Sequence, residues 1–335
     1  MKRRIQGKFI VALAIALPVA IALIASPYSY AQSSGTKTNT ANTLKVSPVR
    51  TDTEIQPGES KGVPVTVTNL TGGAISIVPI TNDFVAGDDR GTPALILDAD
   101  KYAPSHSLKR FMGPLPNFTI PAKQSKTINV VITVPITAQA GGYFGAIRFA
   151  PSDPDGGGQV NLSASVASLI LLTVPGDTIE KLDLKNFDIQ QKGANGNFFN
   201  TPTDLQTSFS FENQGNLQIG PFGILSVKQG DKVVYQTTFN DQTPRDVILP
   251  DSTRRWEVPL EDIGTFGHYD VVATFTYGTK NQTIEVTKSF WVIPTWLIIT
   301  AIATVVGLLL LTALIIFLVV RSRKRRHMPR NTRRR

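Results

Sequence analysis

Alternating hydrophobic and polar positions recur along residues 44–292 and predict a chain built of β-strands. Residues 61–69 read KGVPVTVTN, so Val63, Val65 and Val67 fall on one face and polar side chains on the other. A period of two is typical of a strand with one buried face. Further strands are predicted at residues 75–78, 126–134, 143–149, 160–174, 207–212, 269–277 and 283–291, with a hairpin at 224–237 around Gln229-Gly230-Asp231.

The turns between these strands divide the chain into two predicted domains. Pro175-Gly176-Asp177 marks the boundary, and residues 44–175 and 178–292 each carry several short strands separated by turn residues. This pattern, without a long segment of helical period, favours β-sandwiches. Residues 83–116 interrupt it and are predicted to form a long loop, which on a sandwich is a usual place for recognition.

The apolar stretch 296–320 contains no charged residue and is followed at once by a basic tail. Its 25 residues would make a helix about 37 Å long, enough to cross a hydrocarbon core of about 30 Å. We predict a transmembrane helix over 294–320 and a cytoplasmic tail over 321–335, because basic flanks stay inside. The lipid bilayer is therefore a predicted partner. The residues expected at its surface are Trp291, Trp296, Arg321, Arg323, Lys324, Arg325 and Arg326.

Residues 1–31 have the layout of a secretory signal peptide. Four cations precede an apolar run, and Ser29 and Ala31 supply the small residues of a cleavage site. A retained first helix is the alternative. Residues 32–43 are small and polar and are predicted to be a flexible leader. The bulk of the chain is then expected outside the plasma membrane, anchored by a single pass.

The formal charge of +9 reflects this topology rather than nucleic-acid binding. Of the 34 lysines and arginines, four lie in residues 1–31 and nine in 321–335, and neither segment contains an acid. The exported part therefore keeps 21 cations against 25 acids, a net charge of −4. We predict no nucleic-acid partner.

The sequence offers no convincing catalytic constellation. It has no cysteine, and in the predicted exported part only His106 and His268 are available as bases or ligands. The acidic turns at Asp88-Asp89 and Asp153–Asp155 do not continue as a calcium-binding loop of the helix-loop-helix type, which favours solvated turns. We predict a protein that is not an enzyme and uses no metal and no cofactor.

Several short motifs carry a family resemblance. In the first half they are Pro57-Gly58-Glu59, Val67-Thr68-Asn69, Ile120-Pro121-Ala122-Lys123 and residues 142–149, and in the second half residues 211–216, 249–252, 267–269 and 289–291. Over almost its whole length the chain resembles the WxL-interacting proteins of Gram-positive bacteria. The resemblance implies an all-β exported part of two tandem Ig-like β-sandwich domains and one C-terminal transmembrane helix. It also implies peptidoglycan binding by the first domain and binding of a WxL-type or host surface protein by the second.

The leading hypothesis is thus a membrane-anchored surface protein that binds peptidoglycan or another wall glycan. The alternative is a chaperone-like or structural assembly factor that donates or accepts strands for a secreted surface polymer. A membrane-bound hydrolase is a third hypothesis, without a site to support it. The candidate glycan-binding residues are Asp88, Asp89, Arg90, Tyr102, His106, Lys109 and Arg110, and the candidate partner-binding residues are Arg254, Arg255 and Trp256.

The basic tail generates a prediction about orientation. Protease added to wall-free intact cells is expected to digest residues 32–292 and to spare a tag placed after Arg335, because positive flanks stay cytoplasmic. Immunoblotting for the tag checks this, with permeabilised cells as the control. Loss of the tag from intact cells would contradict the orientation.

Overall fold

The computed structural model describes residues 43–152 and 165–326. Within these ranges the chain forms eighteen strands, one short 3-10 helix and one α-helix. The predictions made for residues 1–42, for Asp153 and Asp155, and for the tail after Arg326 lie outside the described residues.

Strands β1 to β9 build the first sandwich. One sheet has three strands in the order β1-β3-β7, and the other has the order β2-β9-β8-β4-β5 with β6 paired to β4. The bounds are β1 Leu44–Ser47, β2 Arg50–Glu54, β3 Ser60–Asn69, β4 Ile75–Ala86, β5 Pro93–Leu95, β6 Phe118–Ile120, β7 Ser125–Thr133, β8 Gly141–Pro151 and β9 Val166–Val174, with the 3-10 helix at Lys109–Phe111.

The core of the first sandwich comes from the residues that alternate in the sequence. Val63, Val65 and Val67 of β3 are buried. They belong to one hydrophobic cluster with Phe149 of β8 and Leu172 of β9 from the opposite sheet. The predicted one-sided burial of this strand is therefore confirmed.

Strands β10 to β18 build the second sandwich. Its two sheets have the orders β11-β10-β13-β16 and β12-β18-β17-β14-β15. The bounds are β10 Leu182–Gln191, β11 Ala194–Asn195, β12 Phe198–Phe199, β13 Leu205–Asn213, β14 Phe222–Gln229, β15 Lys232–Phe239, β16 Ser252–Pro259, β17 Gly267–Tyr277 and β18 Gln282–Val292.

Aromatic rings fill the second core. Phe209 is fully buried at its centre, with ring centroids 4.8 Å from Phe275 and 5.0 Å from Phe239. Aromatic pairs at such distances stabilise a core beyond the area that they bury. The indole of Trp256 joins them, with its centroid 5.3 Å from that of Phe239.

A buried asparagine ends one central strand in each sandwich. Asn69, at the end of β3, donates from Nδ2 to the carbonyls of Gly73, Ile120 and Pro121, so it ties its own sheet to β6 of the other. Asn213, at the end of β13, donates to the carbonyls of Leu217 and Ile248. Both side chains donate to backbone carbonyls around the strand end, including the buried carbonyls of Ile120 and Ile248.

The helix α1, Thr295–Arg326, follows β18 after only two residues. Its part Thr295–Val319 is long and apolar enough to cross a membrane, and none of it is buried against the sandwiches. A buried helix of a soluble core would be covered by the rest of the chain. The prediction of an all-β part followed by one C-terminal helix is confirmed.

The structure also departs from the sequence-based predictions. Residues 83–116 are not one long loop, because β4 extends to Ala86, β5 pairs with it, and Lys109–Phe111 is helical. Strands β1, β2, β10 and β16 were not predicted. In the described parts of the chain, no strand before residue 175 pairs with a strand after residue 181. The division into two domains at 175–178 stays a prediction.

Replacing Asn69 by alanine is expected to destabilise the first sandwich by about 3 kcal/mol, because the buried carbonyl of Ile120 and the part-buried carbonyls of Gly73 and Pro121 each lose a hydrogen bond. Thermal unfolding of residues 32–292, followed by circular dichroism, measures this. Asn129→Ala on the exposed side of β7 is the matched control and should leave the midpoint unchanged. Equal midpoints for both variants would contradict the role given to Asn69.

Candidate functional site

The segment after β4 is folded back onto the first sandwich by a buried carboxylate. Asp83 is fully buried and accepts hydrogen bonds from the N–H groups of Ala103 and Lys109 and from the hydroxyl of Ser107. These three donors satisfy the charge without a cation. The segment that the sequence suggested as a free recognition loop is therefore anchored at its centre.

Asp88 organises the turn that follows β4. Its Oδ1 accepts hydrogen bonds of 2.9 Å from the N–H groups of both Thr92 and Arg90. The bonds from Thr92, and then those from Arg90 and Gly91, lower the pKa of the Asp88 carboxyl below its usual value. A carboxylate used in this way holds a turn together.

The neighbouring residues of this turn contact the second sandwich. The carbonyl of Asp89 accepts a hydrogen bond from the N–H of Arg255 in β16, and its Oδ2 lies 3.4 Å from Nε of the same arginine. Gly91 has a φ of +85°, and a Cβ there would overlap the guanidinium of Arg254. The predicted glycan-binding turn at Asp89 and the predicted partner-binding residues Arg254 and Arg255 thus contact each other. We call this contact between the two sandwiches the junction. Arg90 is exposed beside it.

The other candidate residues of this segment form a second group. The ring of Tyr102 has Nζ of Lys109 at 4.7 Å and Cζ of Arg110 at 4.5 Å from its centroid. Nζ of Lys109 also donates to the carbonyls of Ala99 and Lys101, and Nδ1 of His106 lies 2.6 Å from the carbonyl oxygen of Gly142. His106 and Arg110 line a cavity of about 460 Å³ with Tyr143, separate from the Asp88 turn.

Arg254 and Trp256 are held within the second sandwich. The guanidinium of Arg254 donates to the carbonyl of Val247, pairs with Asp246 at 3.0 Å and lies 5.0 Å from the centroid of Trp256. Its side chain is only 15% exposed. The predicted role of these residues in partner binding stays a prediction, but their main contacts are already made inside the chain.

The junction contains residues that sequence reasoning missed. Nη1 of Arg50 donates to the carbonyl of Arg245, and Nδ2 of Asn216 donates to the carbonyl of Ala140. The carbonyl of Asn216 in turn accepts from the N–H of Gly142 at 2.8 Å. No local signal in the sequence points to these residues, because each partner lies far away along the chain.

The cavity at this junction is small. It has a volume of about 190 Å³ and is lined by Arg50 and Phe84 from one side and by Val247 and Arg254 from the other. Pockets that enclose small ligands usually measure about 300–1,000 Å³. Among the described residues no group of three or more His, Cys, Asp or Glu side chains is placed to hold a metal. The cavity at Arg254 therefore offers little room for a ligand, whereas the larger cavity of about 460 Å³ beside His106 is also lined by Ala140 and Asn216 of the junction.

Among the described strands, β15 ends its sheet without a further partner, and the outer edge of β18 is covered only by the two-residue strand β12. The N–H of Trp291 donates away from β17, to the carbonyl of Asn197. In an antiparallel strand the N–H and C=O groups of alternate residues point the same way. Those of Thr283, Glu285, Thr287 and Ser289 therefore also point away from β17, and within the described residues β18 has no other strand partner than β12 at Trp291 and Val292.

The inner face of the same strand carries one charge. Lys288 is half-buried between Val286 and Phe290, and its Nζ lies 3.1 Å from Oδ1 of Asp188 in β10. An inward-pointing charge on an edge strand is a known protection against indiscriminate pairing of edges. The edge is thus open to backbone hydrogen bonds but selective in what it accepts.

Comparison with known proteins gives limited information. No protein-family model matches the chain, and no curated protein sequence matches it. Among solved structures it is similar to a chaperone–tip adhesin complex of CFA/I fimbriae biogenesis, at 14% identity over 73% of this chain and 98% of the other, with a TM-score of 0.39. It is also similar to the class 5 fimbriae chaperone CfaA, at 14% identity over 74% of this chain and 98% of the other, with a TM-score of 0.38. For the E. coli chaperone DraB the identity is 17% over 74% of this chain and 96% of the other, with a TM-score of 0.34.

The leading hypothesis, binding of peptidoglycan or another wall glycan, is wrong. The contacts of the predicted glycan-binding residues give the physical reason. Asp88 and Asp89 serve a turn and the junction, and the ring of Tyr102 is occupied by two cations of its own segment. The resemblance to the WxL-interacting proteins is not tested by these comparisons and stays a prediction.

Arg254→Ala is expected to lower the stability of residues 32–292 by about 2 kcal/mol, because the part-buried carbonyl of Val247 and the carboxylate of Asp246 lose their donor and Trp256 loses a packed guanidinium. Asp89→Ala removes an ion pair between half-exposed groups and should cost less than about 1 kcal/mol. Urea unfolding of both variants compares them directly. A larger loss for Asp89→Ala would contradict this account of the junction.

Proposed function

We propose that this protein is a non-catalytic, membrane-anchored binding protein that holds an extended segment of another protein by strand addition. It would act outside the cell as a chaperone-like or structural assembly factor for a secreted surface polymer. The observation that carries the proposal is the unpaired outer edge of β18.

The edge supplies the main-chain part of such a contact. Thr283, Glu285, Thr287 and Ser289 each present one N–H donor and one C=O acceptor along the same side of the strand. An added strand can pair with them without disturbing the ladder to β17. Each hydrogen bond gained contributes about 1 kcal/mol net, so a run of several suffices for a specific but reversible contact.

The two faces of β18 indicate the sequence that the partner segment should have. Ile284 and Val286 face the core and are only half-buried, whereas Glu285 and Thr287 are exposed on the outer face. A segment added beside them would continue both faces of the sheet. We therefore expect its residues to alternate, apolar toward the core and polar toward water.

The helix α1 would anchor the second sandwich, and with it a bound partner, at the membrane. β18 leads into α1 after two residues, so a partner held on β18 stays close to the membrane. With the basic tail inside, both sandwiches lie on the outer side, where a secreted partner is available.

Thr287→Pro tests strand addition without damaging the sandwich. Proline removes an N–H that points away from β17, so the ladder keeps its hydrogen bonds. Proteins secreted by the source cells are passed over immobilised residues 32–292, and the affinity of a retained protein is then measured. Thr287→Pro should weaken it about tenfold through the lost bond and the steric bulk of the ring.

Thr287→Ala is the matched control, since it removes the side chain and keeps the N–H. It should bind as the unaltered protein does. Amide hydrogen exchange should also show protection of residues 283, 285, 287 and 289 when the partner is bound. Equal binding by the proline variant, or retention on insoluble peptidoglycan with no protein retained, would contradict strand addition at β18.

A further inference from the structure

The end of the second sandwich next to α1 carries an aromatic row, made of Phe198 in β12, Trp291 in β18 and His268 in β17. These residues are register neighbours across three adjacent strands. The rings of His268 and Trp291 have centroids 4.7 Å apart. Phe198 is 71% exposed, although it is a large apolar side chain.

The fold fixes the exposure of Phe198. Phe199 is buried, with its ring centroid 5.9 Å from that of Phe290. Because successive residues of a strand point to opposite faces, Phe198 must point outward. The carbonyls of Asn197 and Phe199 each accept a 2.8 Å hydrogen bond from the chain around β18, which holds this short strand in place.

Phe266 extends the apolar surface toward the helix. It precedes Gly267, which pairs with Val292 in the last rung of the sheet, and it is 53% exposed. Exposed aromatic residues that cluster in this way mark a contact surface, whereas single exposed apolar residues need no explanation. Trp296, in the first turn of α1, is exposed as well.

The distance from the aromatic row to the helix limits how the second sandwich can be oriented on the bilayer. Trp291 precedes Thr295 by four residues, which in an extended chain span about 13 Å. The headgroup layer on each side of a bilayer is only about 5–7 Å thick. An upright β18 would hold the row in water above the headgroups, whereas a sandwich inclined toward its outer face would bring the rings into them.

We propose that the aromatic row and Phe266 form a membrane foot, which holds the second sandwich inclined on the outer leaflet of the bilayer that α1 crosses. The bilayer is the occupant because the foot is continuous with the helix, two residues away from β18. The rings of Trp and His carry a polar group on an apolar body and suit the headgroup level, and Phe inserts its apolar ring at the same boundary. The inference rests on the membrane anchoring proposed above and is independent of strand addition.

The absence of cysteine from the sequence permits single-site labelling of the full-length protein in vesicles of phosphatidylglycerol and phosphatidylcholine. Nitroxide labels are placed through F198C and F266C in the foot and G307C in the middle of α1. T283C is the matched control, on the same strand and the same exposed face as Trp291 but at its far end. Collision with oxygen, which partitions into lipid, is compared with collision with a water-soluble nickel chelate.

The ratio of the two collision rates reports the depth of a label in the bilayer. The labels at 198 and 266 are expected at the level of the headgroups and the label at 307 in the hydrocarbon core. The label at 283 is expected in bulk water. If the label at 307 is in lipid while those at 198 and 266 behave like that at 283, the foot is refuted and the anchor stands. If the label at 307 is in water, both the membrane foot and the membrane anchor are refuted.

A second measurement tests whether the aromatic side chains cause the contact. T265C places a label next to the foot on an exposed residue of the loop before β17. Its headgroup-level signal should shift to that of water when F198S and F266S are introduced together. An unchanged signal would overturn the role of the side chains.

Discussion

The two buried amides of Asn69 and Asn213 hold the positions on which the rest of the structure depends. Each ends a central strand and satisfies carbonyls of segments that cross toward the opposite sheet. The chain has no cysteine and therefore no disulfide between its sheets. Without these amides, the carbonyls of Ile120 and Ile248 would each lose a buried hydrogen bond at the ends of β3 and β13.

The same logic of backbone satisfaction explains why residues 83–116 serve structure more than recognition. Asp83 binds the returning segment, and Asp88 closes the turn that docks on β16. The surfaces that remain for a partner are therefore not loops. They are places where the backbone has been left unpaired, above all β18, and the apolar side chains that the fold forces outward beside the helix.

How far the sequence predicts this structure depends on whether a feature is local. The valines of β3 and the alternation in β17 and β18 were recognised because a half-buried strand repeats every two residues. β10 was missed because a bulge between Leu184 and Asn186 shifts the inward positions from Leu182 and Leu184 to Phe187 and Ile189. Such a bulge breaks the period that identifies a strand.

The junction was beyond prediction for a different reason. Arg50 donates a hydrogen bond to the carbonyl of Arg245, which lies 195 residues later in the chain. The sequence around either residue contains no signal for the other. The candidate residues Asp89 and Arg255 were assigned to separate sites, and the structure brings them into contact with each other. The open edge of β18 was also invisible, since a paired and an unpaired strand share the same pattern.

The direct passage from β18 into α1 has a mechanical consequence. A pull on a partner held along β18 would run lengthwise through the strand into the membrane anchor. It would load the hydrogen bonds between the partner and β18 in shear, all at once, instead of peeling them apart one after another. A two-residue connection leaves no slack to absorb the force. The second sandwich is thus arranged as a tether whose strength is that of a whole ladder of hydrogen bonds.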